Sequence, residues 1–297
     1  MSVGFVFFVH NDSNLQAAQR ERLWTDDGYF DTTWFTNYSD TFTISTPQQL
    51  AGLAHMANVA PRVNFSGMNI RLGGNIDLTG RTWFAINDFR GNLDGNGYTI
   101  TLPNVVRNAH GSEHHSIGLF AMVRGGSVRD LTVAGHVTVQ GTFRSTLHVG
   151  GLSGLVQQSS IENVTNRAGI TATAITAQTR VFIGGVIGRA IMHNTLTDLA
   201  NHGAISARTG AEATSVGGII GQLSFSVHGG ASGLHNEGRV SVTAASTAAH
   251  ATAGVIGSVH SQAFSQVALT NMMNIGQITG PGAVQFVGRV EGNAVVG

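Results

Sequence analysis

The chain contains no cysteine and no lysine among its 297 residues. Without cysteine it can form no disulfide and no thiolate metal site, although such a composition is compatible with any redox compartment. The 16 basic residues are therefore all arginines, and they balance 16 acidic residues at a formal net charge of zero. Because the arginines are scattered singly, the sequence lacks the basic surface typical of proteins that bind nucleic acid or anionic membranes.

Long hydrophobic runs are also lacking. The most apolar segment, from Val3 to Val9, has no basic leader and is far shorter than the ~20 residues that a membrane span needs. No membrane span is therefore predicted. The segment is predicted to be a strand that pairs with the first coil of its own chain or with a neighbouring molecule.

Proline is scarce, with 4 residues, whereas the 40 glycines mark a repeat. Five copies of the pattern G-apolar-x-G/A recur at intervals of 33 to 36 residues. The copies begin at Gly118, Gly151, Gly185, Gly218 and Gly254. A fixed period indicates a solenoid, because a unit this short can bury its apolar face only against its neighbours. Segments rich in Thr, Val and Ile favour strands, so the sequence predicts one elongated all-β domain.

One segment has the pattern of a helix. Thr46 provides an N-cap, and Pro47 occupies the first helical position. Apolar residues follow at i, i+3, i+4 and i+7, namely Leu50, Leu53, Ala54 and Ala57. A helix over about residues 47–59 is predicted to cover the N-terminal end of the solenoid, where backbone groups would otherwise be unpaired.

The sequence resembles a known family in four places. These are TISTPQQLAGLA at 43–54, NIDL at 75–78, FRGNLDGNGYTI at 89–100 and the G-L-x-G repeats over about 117–290. The strings look like those of GLUG-motif bacterial surface proteins, over roughly residues 40–290. This resemblance implies a right-handed parallel β-helix of the pectin-lyase type, on secreted or cell-surface adhesins or stalks, and it brings no catalytic residues. The predicted organisation is a strand and an aromatic, acidic cap segment over 1–40, followed by the β-helix with its capping helix over 41–297.

The segments that follow the repeats align in columns. Two apolar columns are predicted to fill the interior: Val128, Ile161, Leu196 and Leu269, and Leu131, Val164, Leu199, Leu234 and Met272. One column contains Asp130, Asn163, Asp198, Gly233 and Asn271, and a second contains Asn166, Asn201, Asn236 and Asn274. Because asparagine and glycine tolerate left-handed backbone conformations, both columns are predicted at sharp corners of the coil. With coils ~4.8 Å apart, the amides of the second column are predicted to hydrogen-bond one another as a structural ladder.

Aromatic side chains with a polar group occur only between residues 24 and 98. They are Trp24, Tyr29, Trp34, Tyr38, Trp83 and Tyr98. Such flat amphipathic rings are candidates for stacking on a glycan. The alternative, which the sequence favours, is an irregular cap whose aromatic rings cover the first coil.

Titratable residues offer weaker candidates for chemistry. His110, Glu113, His114 and His115 could bind zinc or nickel, but their spacing is not that of a helical metal site, so no metal or other cofactor is predicted. An enzymatic alternative would use Asp130 and Asp198, ~9.6 Å apart, in a polysaccharide lyase or glycoside hydrolase. No acidic cluster or base accompanies this pair, so no catalytic residue is predicted. A further hypothesis aligns His193, His228 and His260 in a pH-sensitive row.

The sequence therefore favours a non-enzymatic, extracellular or bacterial cell-surface β-helix, adhesin-like or structural. The predicted partner is a surface glycan or a host protein, with no nucleic acid. Self-association is a further prediction: the strand from Val3 to Val9 and an uncovered C-terminal coil would join copies head to tail into filaments.

Overall fold

The structure is a computed structural model. It describes residues 22–24, 26–36, 38–59, 62–104, 106–107, 115–143, 145–177, 180–211, 213–225, 229–244, 250–261, 266–292 and 295–296. Within these residues the chain forms a parallel β-solenoid of about five turns with one short helix, so the predicted β-helix is confirmed. The segment from Val3 to Val9 lies outside the described residues.

The N-terminal section contains one helix and several short strands. They are β1 (Thr41–Ile44), α1 (Pro47–Asn58), β2 (Asn69–Leu72), β3 (Ile76–Asp77), β4 (Trp83–Phe84), β5 (Asn92–Asp94), β6 (Thr99–Leu102) and β7 (Val106–Arg107). Strands β1, β2 and β5 stack in parallel below the first regular coil, with Phe42 opposite Ile70 and Ile70 opposite Leu93. This section is therefore continuous with the solenoid.

The regular coils each supply strands to the same set of sheets. The first two contain β8 (His115–Ile117), β9 (Phe120–Arg124), β10 (Ser127–Phe143), β11 (Leu147–Gly150), β12 (Ser153–Gln157), β13 (Ser160–Asn166) and β14 (Gly169–Ala177). The next two contain β15 (Arg180–Gly184), β16 (Ile187–Ile191), β17 (Thr195–Asn201), β18 (Ile205–Thr209), β19 (Ala213–Gly217), β20 (Ile220–Phe225), β21 (Gly229–Asn236) and β22 (Val240–Ala244). The last strands are β23 (His250–Ala253), β24 (Ile256–Ser261), β25 (Gln266–Asn274), β26 (Ile278–Thr279), β27 (Val287–Gly292) and β28 (Val295–Val296).

Three sheets run along the solenoid, and all of their pairs are parallel. The long sheet has 15 strands, with the central order β26-β22-β18-β14-β10-β13-β17-β21-β25-β28. A five-stranded sheet has the order β23-β19-β15-β11-β8, and a six-stranded sheet has the order β27-β24-β20-β16-β12-β9. Each G-x-x-G repeat joins the five-stranded sheet to the six-stranded sheet through a short turn, for example at 151–152 between β11 and β12.

The interior is formed by the predicted apolar columns. Val128, Ile161 and Leu196 lie opposite one another on successive strands and are almost completely buried. The neighbouring column of Leu131, Val164, Leu199 and Leu234 is also buried. Stacking thus buries the apolar side chains that a single coil would expose. The short repeat is therefore stable only in an array of coils.

Helix α1 covers the N-terminal end, as predicted. It begins at Pro47, and the Thr46 hydroxyl accepts a hydrogen bond of 3.2 Å from the Gln49 amide. The predicted apolar face, Leu50, Leu53, Ala54 and Ala57, is buried. The capping pattern and the apolar spacing were therefore sufficient to place this helix within one residue.

Candidate functional site

The tryptophans Trp24 and Trp83 lie in the core. Trp83 is fully buried, and its Nε1 donates to the Leu119 carbonyl at 3.1 Å. Trp24 is 7% exposed, and its Nε1 donates to the Leu78 carbonyl at 2.7 Å. Neither ring has a free face, so the structure places these two glycan candidates in a structural role.

Trp34 and Tyr98 are half-buried against the same core. The Trp34 ring lies edge-on to Phe42 at 5.4 Å between centroids and nearly parallel to Phe65 at 6.4 Å. Phe65 continues this aromatic packing to Phe89 at 6.0 Å. These rings fill the N-terminal end of the solenoid, an arrangement that corresponds to the cap interpretation of the aromatic segment.

Tyr29 and Tyr38 are the exposed members of the set, at 42% and 99%. The Arg81 guanidinium carbon lies 3.2 Å from the Tyr29 ring centroid, so one face of this ring is covered by a cation–π contact. A cleft of about 330 Å³ adjoins it, lined by Arg22, Gly80, Arg81, Thr82, Pro103 and Asn104. Of the six candidate glycan-stacking rings, these two are the most exposed.

The asparagine column forms a continuous ladder. Asn166 Nδ2 donates to Asn201 Oδ1 at 2.8 Å, Asn201 Nδ2 to Asn236 Oδ1 at 2.8 Å, and Asn236 Nδ2 to Asn274 Oδ1 at 2.7 Å. Each of these four Nδ2 groups also donates to the carbonyl two residues later in its own chain segment. Asn166, Asn201 and Asn236 are fully buried. The ladder is structural and is not accessible to a ligand.

This ladder is one of the contacts that require glycine at the first repeat position in four of the five copies. A Cβ atom on Gly185 would lie 2.4 Å from Asn201 Cγ, and one on Gly218 would lie 2.4 Å from Asn236 Cγ. Gly151 and Gly254 meet the other ladder amides in the same way. The repeat glycine and the ladder asparagine, far apart in sequence, are thus two parts of one packing unit.

The left-handed corner lies at the other column. Asp130, Asn163, Asp198 and Asn271 have φ of 53°, 49°, 53° and 53°, and Gly233 has φ of 66°. None of the ladder asparagines has a positive φ, so the prediction of a left-handed corner was correct for the first column and wrong for the second. The ladder amides bond across coils and need no unusual backbone.

The carboxylate pair of the enzymatic alternative has no catalytic surroundings. Asp130 accepts hydrogen bonds from Arg129 Nη1 at 2.9 Å and Asn163 Nδ2 at 2.7 Å. Asn163 occupies the equivalent position on the coil between Asp130 and Asp198, so the two aspartates lie two coils apart. Both aspartates occupy the left-handed corner, and this backbone requirement accounts for their position.

A groove with a volume of about 650 Å³ lies on the outer face of the long sheet. Strands β17, β21 and β25 form its floor, where Thr197 lies opposite Ser232 and Ser232 opposite Thr270. The described lining is Gln158, Ser159, His193, Asn194, Thr195, Leu196, Thr197, Gly230, Ala231, Ser232, Ala268 and Thr270. Asn194 holds one wall in place, because its Oδ1 accepts from the Ser159 amide at 3.0 Å and its Nδ2 donates to the Ile191 carbonyl at 2.8 Å.

The groove was not predicted from the sequence. Its floor consists of small outward-facing residues such as Gly230, Ser232 and Ala268, which resemble ordinary strand residues when read singly. The signal that could have located it is the run of small side chains at matching positions of successive coils. Of the predicted histidine row, His193 lines this groove, His260 lies 3.5 Å from Glu291, and His228 is outside the described residues.

The predicted loop cluster is mostly outside the described residues, which include only His115. Its ring contacts Phe143 at 5.1 Å between centroids. The described part of the chain contains no group of three His, Asp or Glu side chains placed to bind a metal ion. Two histidines from adjacent coils, His202 and His235, instead flank Glu237 at 2.6 Å and 3.5 Å, a contact that the sequence analysis missed.

A charged side chain is partly buried in the array. The Arg189 guanidinium carbon lies 5.0 Å from the Phe182 ring centroid, and its buried Nε has no hydrogen-bond partner among the described residues. Burial and the charge of Arg180 lower the pKa of Arg189, so folding disfavours its charged form.

We expect Arg189→Met to raise the free energy of unfolding by about 1 kcal/mol in a urea titration. The exposed Arg208→Met is the control and should change it by less than about 0.5 kcal/mol, whereas a loss in Arg189→Met would contradict the argument.

Among the described residues, no helix is both long and apolar enough to cross a membrane.

Comparisons with known proteins do not assign this chain to a family. No family model and no curated protein matches the chain. Among solved structures it is similar to the crystal structure of a putative immunoglobulin A1 protease from Bacteroides ovatus. The two share 18% sequence identity over 88% of this chain and 86% of that chain, with a TM-score of 0.46. A similarity of this size carries no argument about activity.

Proposed function

We propose that this protein is a non-enzymatic, extracellular or cell-surface β-helix, adhesin-like in role, that binds a neutral glycan along the groove of the long sheet. The observation that carries the proposal is the groove lining, which offers hydroxyl and amide groups and one histidine. Its lining residues include no carboxylate and no arginine in the part of the chain that the structure describes. Hydroxyls and amides can exchange hydrogen bonds with sugar hydroxyls, whereas a charged ligand would require an opposite charge.

The form of the groove supports an extended ligand. Its floor repeats hydroxyl groups on successive coils at Thr197, Ser232 and Thr270. The backbone of β17 and β21 is already paired on both sides, so binding there would order little of the protein and cost little conformational entropy. A volume of about 650 Å³ lies within the usual range of ligand sites, roughly 300–1,000 Å³.

The lining also bears on the enzymatic alternative, a polysaccharide lyase or glycoside hydrolase. Glycoside hydrolysis needs two carboxyl groups that flank the bond to be cleaved. The groove residues supply no such pair, and Asp130 is held by Arg129 and Asn163 outside it. Binding without cleavage is therefore the function that this chemistry supports.

The proposal is tested by blocking the groove. Ser232→Phe would place a ring on the groove floor, and we expect binding to a neutral-glycan array to fall by at least about tenfold. Ser206→Phe is the matched control, because Ser206 is exposed on β18 outside the groove lining. Equal binding by both variants, or release of new reducing ends by the unmodified protein, would contradict the proposal.

The GLUG-like strings motivate the cell-surface location, and labelling of intact producing cells with an impermeant reagent would test it.

A further inference from the structure

Apolar side chains are concentrated at the C-terminal end of the solenoid. Of the nine large hydrophobic side chains that are exposed among the described residues, five lie between 273 and 290. They are Met273, Ile275, Val284, Phe286 and Val290, with exposures of 40% to 68%. An apolar concentration of this kind is typical of a protein–protein contact.

Within the part of the chain that the structure describes, strand β27 at this end has a free edge. Strand β27 pairs with β24 on one side and is the terminal strand of the six-stranded sheet. Val290 lies opposite Val259, which is fully buried, so Val290 continues an interior column to the open end. A free edge beside an exposed apolar column is a template for pairing with another strand.

The part of the opposite end that the structure describes does not provide a matching surface. Helix α1 covers it, and the apolar residues of that helix are already buried. A head-to-tail contact would place the exposed end of one copy against this covered end of the next. A contact between two C-terminal ends instead joins apolar surface to apolar surface, and it closes after two copies.

The charges of β27 are complementary to those of a second β27. Arg289 and Glu291 flank Val290 and point to the same side, where Arg289 Nη1 lies 3.2 Å from Glu291 Oε1. If two β27 strands pair antiparallel about a two-fold axis at Val290, Arg289 of each copy lies directly opposite Glu291 of the other. Opposite charges at such positions stabilise a strand pair, and like charges destabilise it.

From these observations we infer that two copies of this chain associate tail to tail, with β27 paired antiparallel to β27 around Val290. The contact is made by the six-stranded sheet, whereas the groove lies on the outer face of the long sheet. Unlike a head-to-tail filament, this contact is symmetric and closes after two copies. Val290 of one copy therefore lies opposite Val290 of the other.

Cysteine crosslinking tests this symmetry directly, since the chain has no cysteine of its own. Directly opposite residues of antiparallel strands are about 4.5–5.5 Å apart between Cα atoms, within the range of a disulfide. We expect the full chain carrying Val290→Cys to form a disulfide dimer under mild oxidation, roughly tenfold more than the exposed control Met192→Cys. Crosslinking equal to that of the control would overturn the inference.

Light scattering on the unmodified protein provides the second measurement. The expected mass is twice the 31.0 kDa of one chain at high concentration. A mass that stays at one chain, or one that keeps rising beyond two chains as in a filament, would overturn the inference.

Charge variants test the register without relying on the cysteine. Arg289→Glu and Glu291→Arg each place like charges opposite one another, and we expect each to weaken the dimer by about tenfold. Mixing the two variants restores two opposite-charge pairs in a mixed dimer, so mixing should recover the mass of two chains. No recovery on mixing would exclude the pairing of β27 with β27.

Discussion

Gly221→Ala should destabilise the solenoid severely, by about 3 kcal/mol or more in the free energy of unfolding. The added Cβ would lie 2.4 Å from the Gly188 carbonyl oxygen and 2.6 Å from the Ile183 amide nitrogen. Both are backbone atoms of the preceding coil, and they belong to strands whose hydrogen bonds fix their positions. The new methyl can therefore be accommodated only by separating two coils.

The close approach of sheets, rather than an unusual φ, accounts for this glycine. Gly154, Gly188 and Gly257 make the same approach to the five-stranded sheet of the preceding coil. The first copy of the repeat has Ala121 at this position, and Ala121 is buried without difficulty. The five-stranded sheet begins at β8, so it supplies no preceding strand for Ala121 to meet.

Urea unfolding followed by circular dichroism measures the effect, with two controls. Gly74→Ala adds a methyl whose nearest contact is 3.9 Å away, and it should change the free energy by less than about 0.5 kcal/mol. Ala121→Gly should cost roughly 1 kcal/mol, since it removes one buried methyl and adds chain flexibility. A Gly221→Ala loss no larger than that of Gly74→Ala would show that the coils can separate freely.

Sequence periodicity was sufficient for the architecture of this protein. The repeat interval predicted the solenoid, the apolar columns predicted the interior, and the spacing around Leu50 and Leu53 predicted the cap helix. These features depend on which residues recur, and recurrence is visible in a single chain. The asparagine column belongs to the same class, because a fixed column in a parallel stack brings identical side chains together.

The sequence did not predict whether an individual side chain points into the core or into solvent. Trp83 and Tyr38 belong to the same aromatic segment by composition, yet one is fully buried and the other 99% exposed. The difference depends on the irregular path of the N-terminal section, where no repeat fixes which face a residue occupies. The groove was missed for a related reason, since it is formed by the small size of Gly230 and Ala268 rather than by a reactive side chain.

Asn201→Ala is expected to have the largest effect of any single ladder substitution, about 4 kcal/mol in the free energy of unfolding. Asn201 is fully buried and makes four hydrogen bonds. Its Nδ2 donates to the Gly203 carbonyl at 2.9 Å and to Asn236 Oδ1, while its Oδ1 accepts from Asn166 Nδ2 and from the Gly203 amide at 3.2 Å. Alanine removes all four and leaves buried polar groups on both neighbouring coils without that partner.

The terminal member of the ladder is the matched control. Asn274 is half-buried, and its Nδ2 also donates to the exposed Gln285 Oε1 at 2.6 Å. Water can replace bonds lost at this end, so Asn274→Ala should cost only about 1 kcal/mol in the same titration. Equal losses for the two variants would mean that each ladder asparagine stabilises only its own coil. A much larger loss at Asn201 is the result expected if the amides act across coils, because Asn201 has ladder neighbours on both sides and Asn274 has one on a single side.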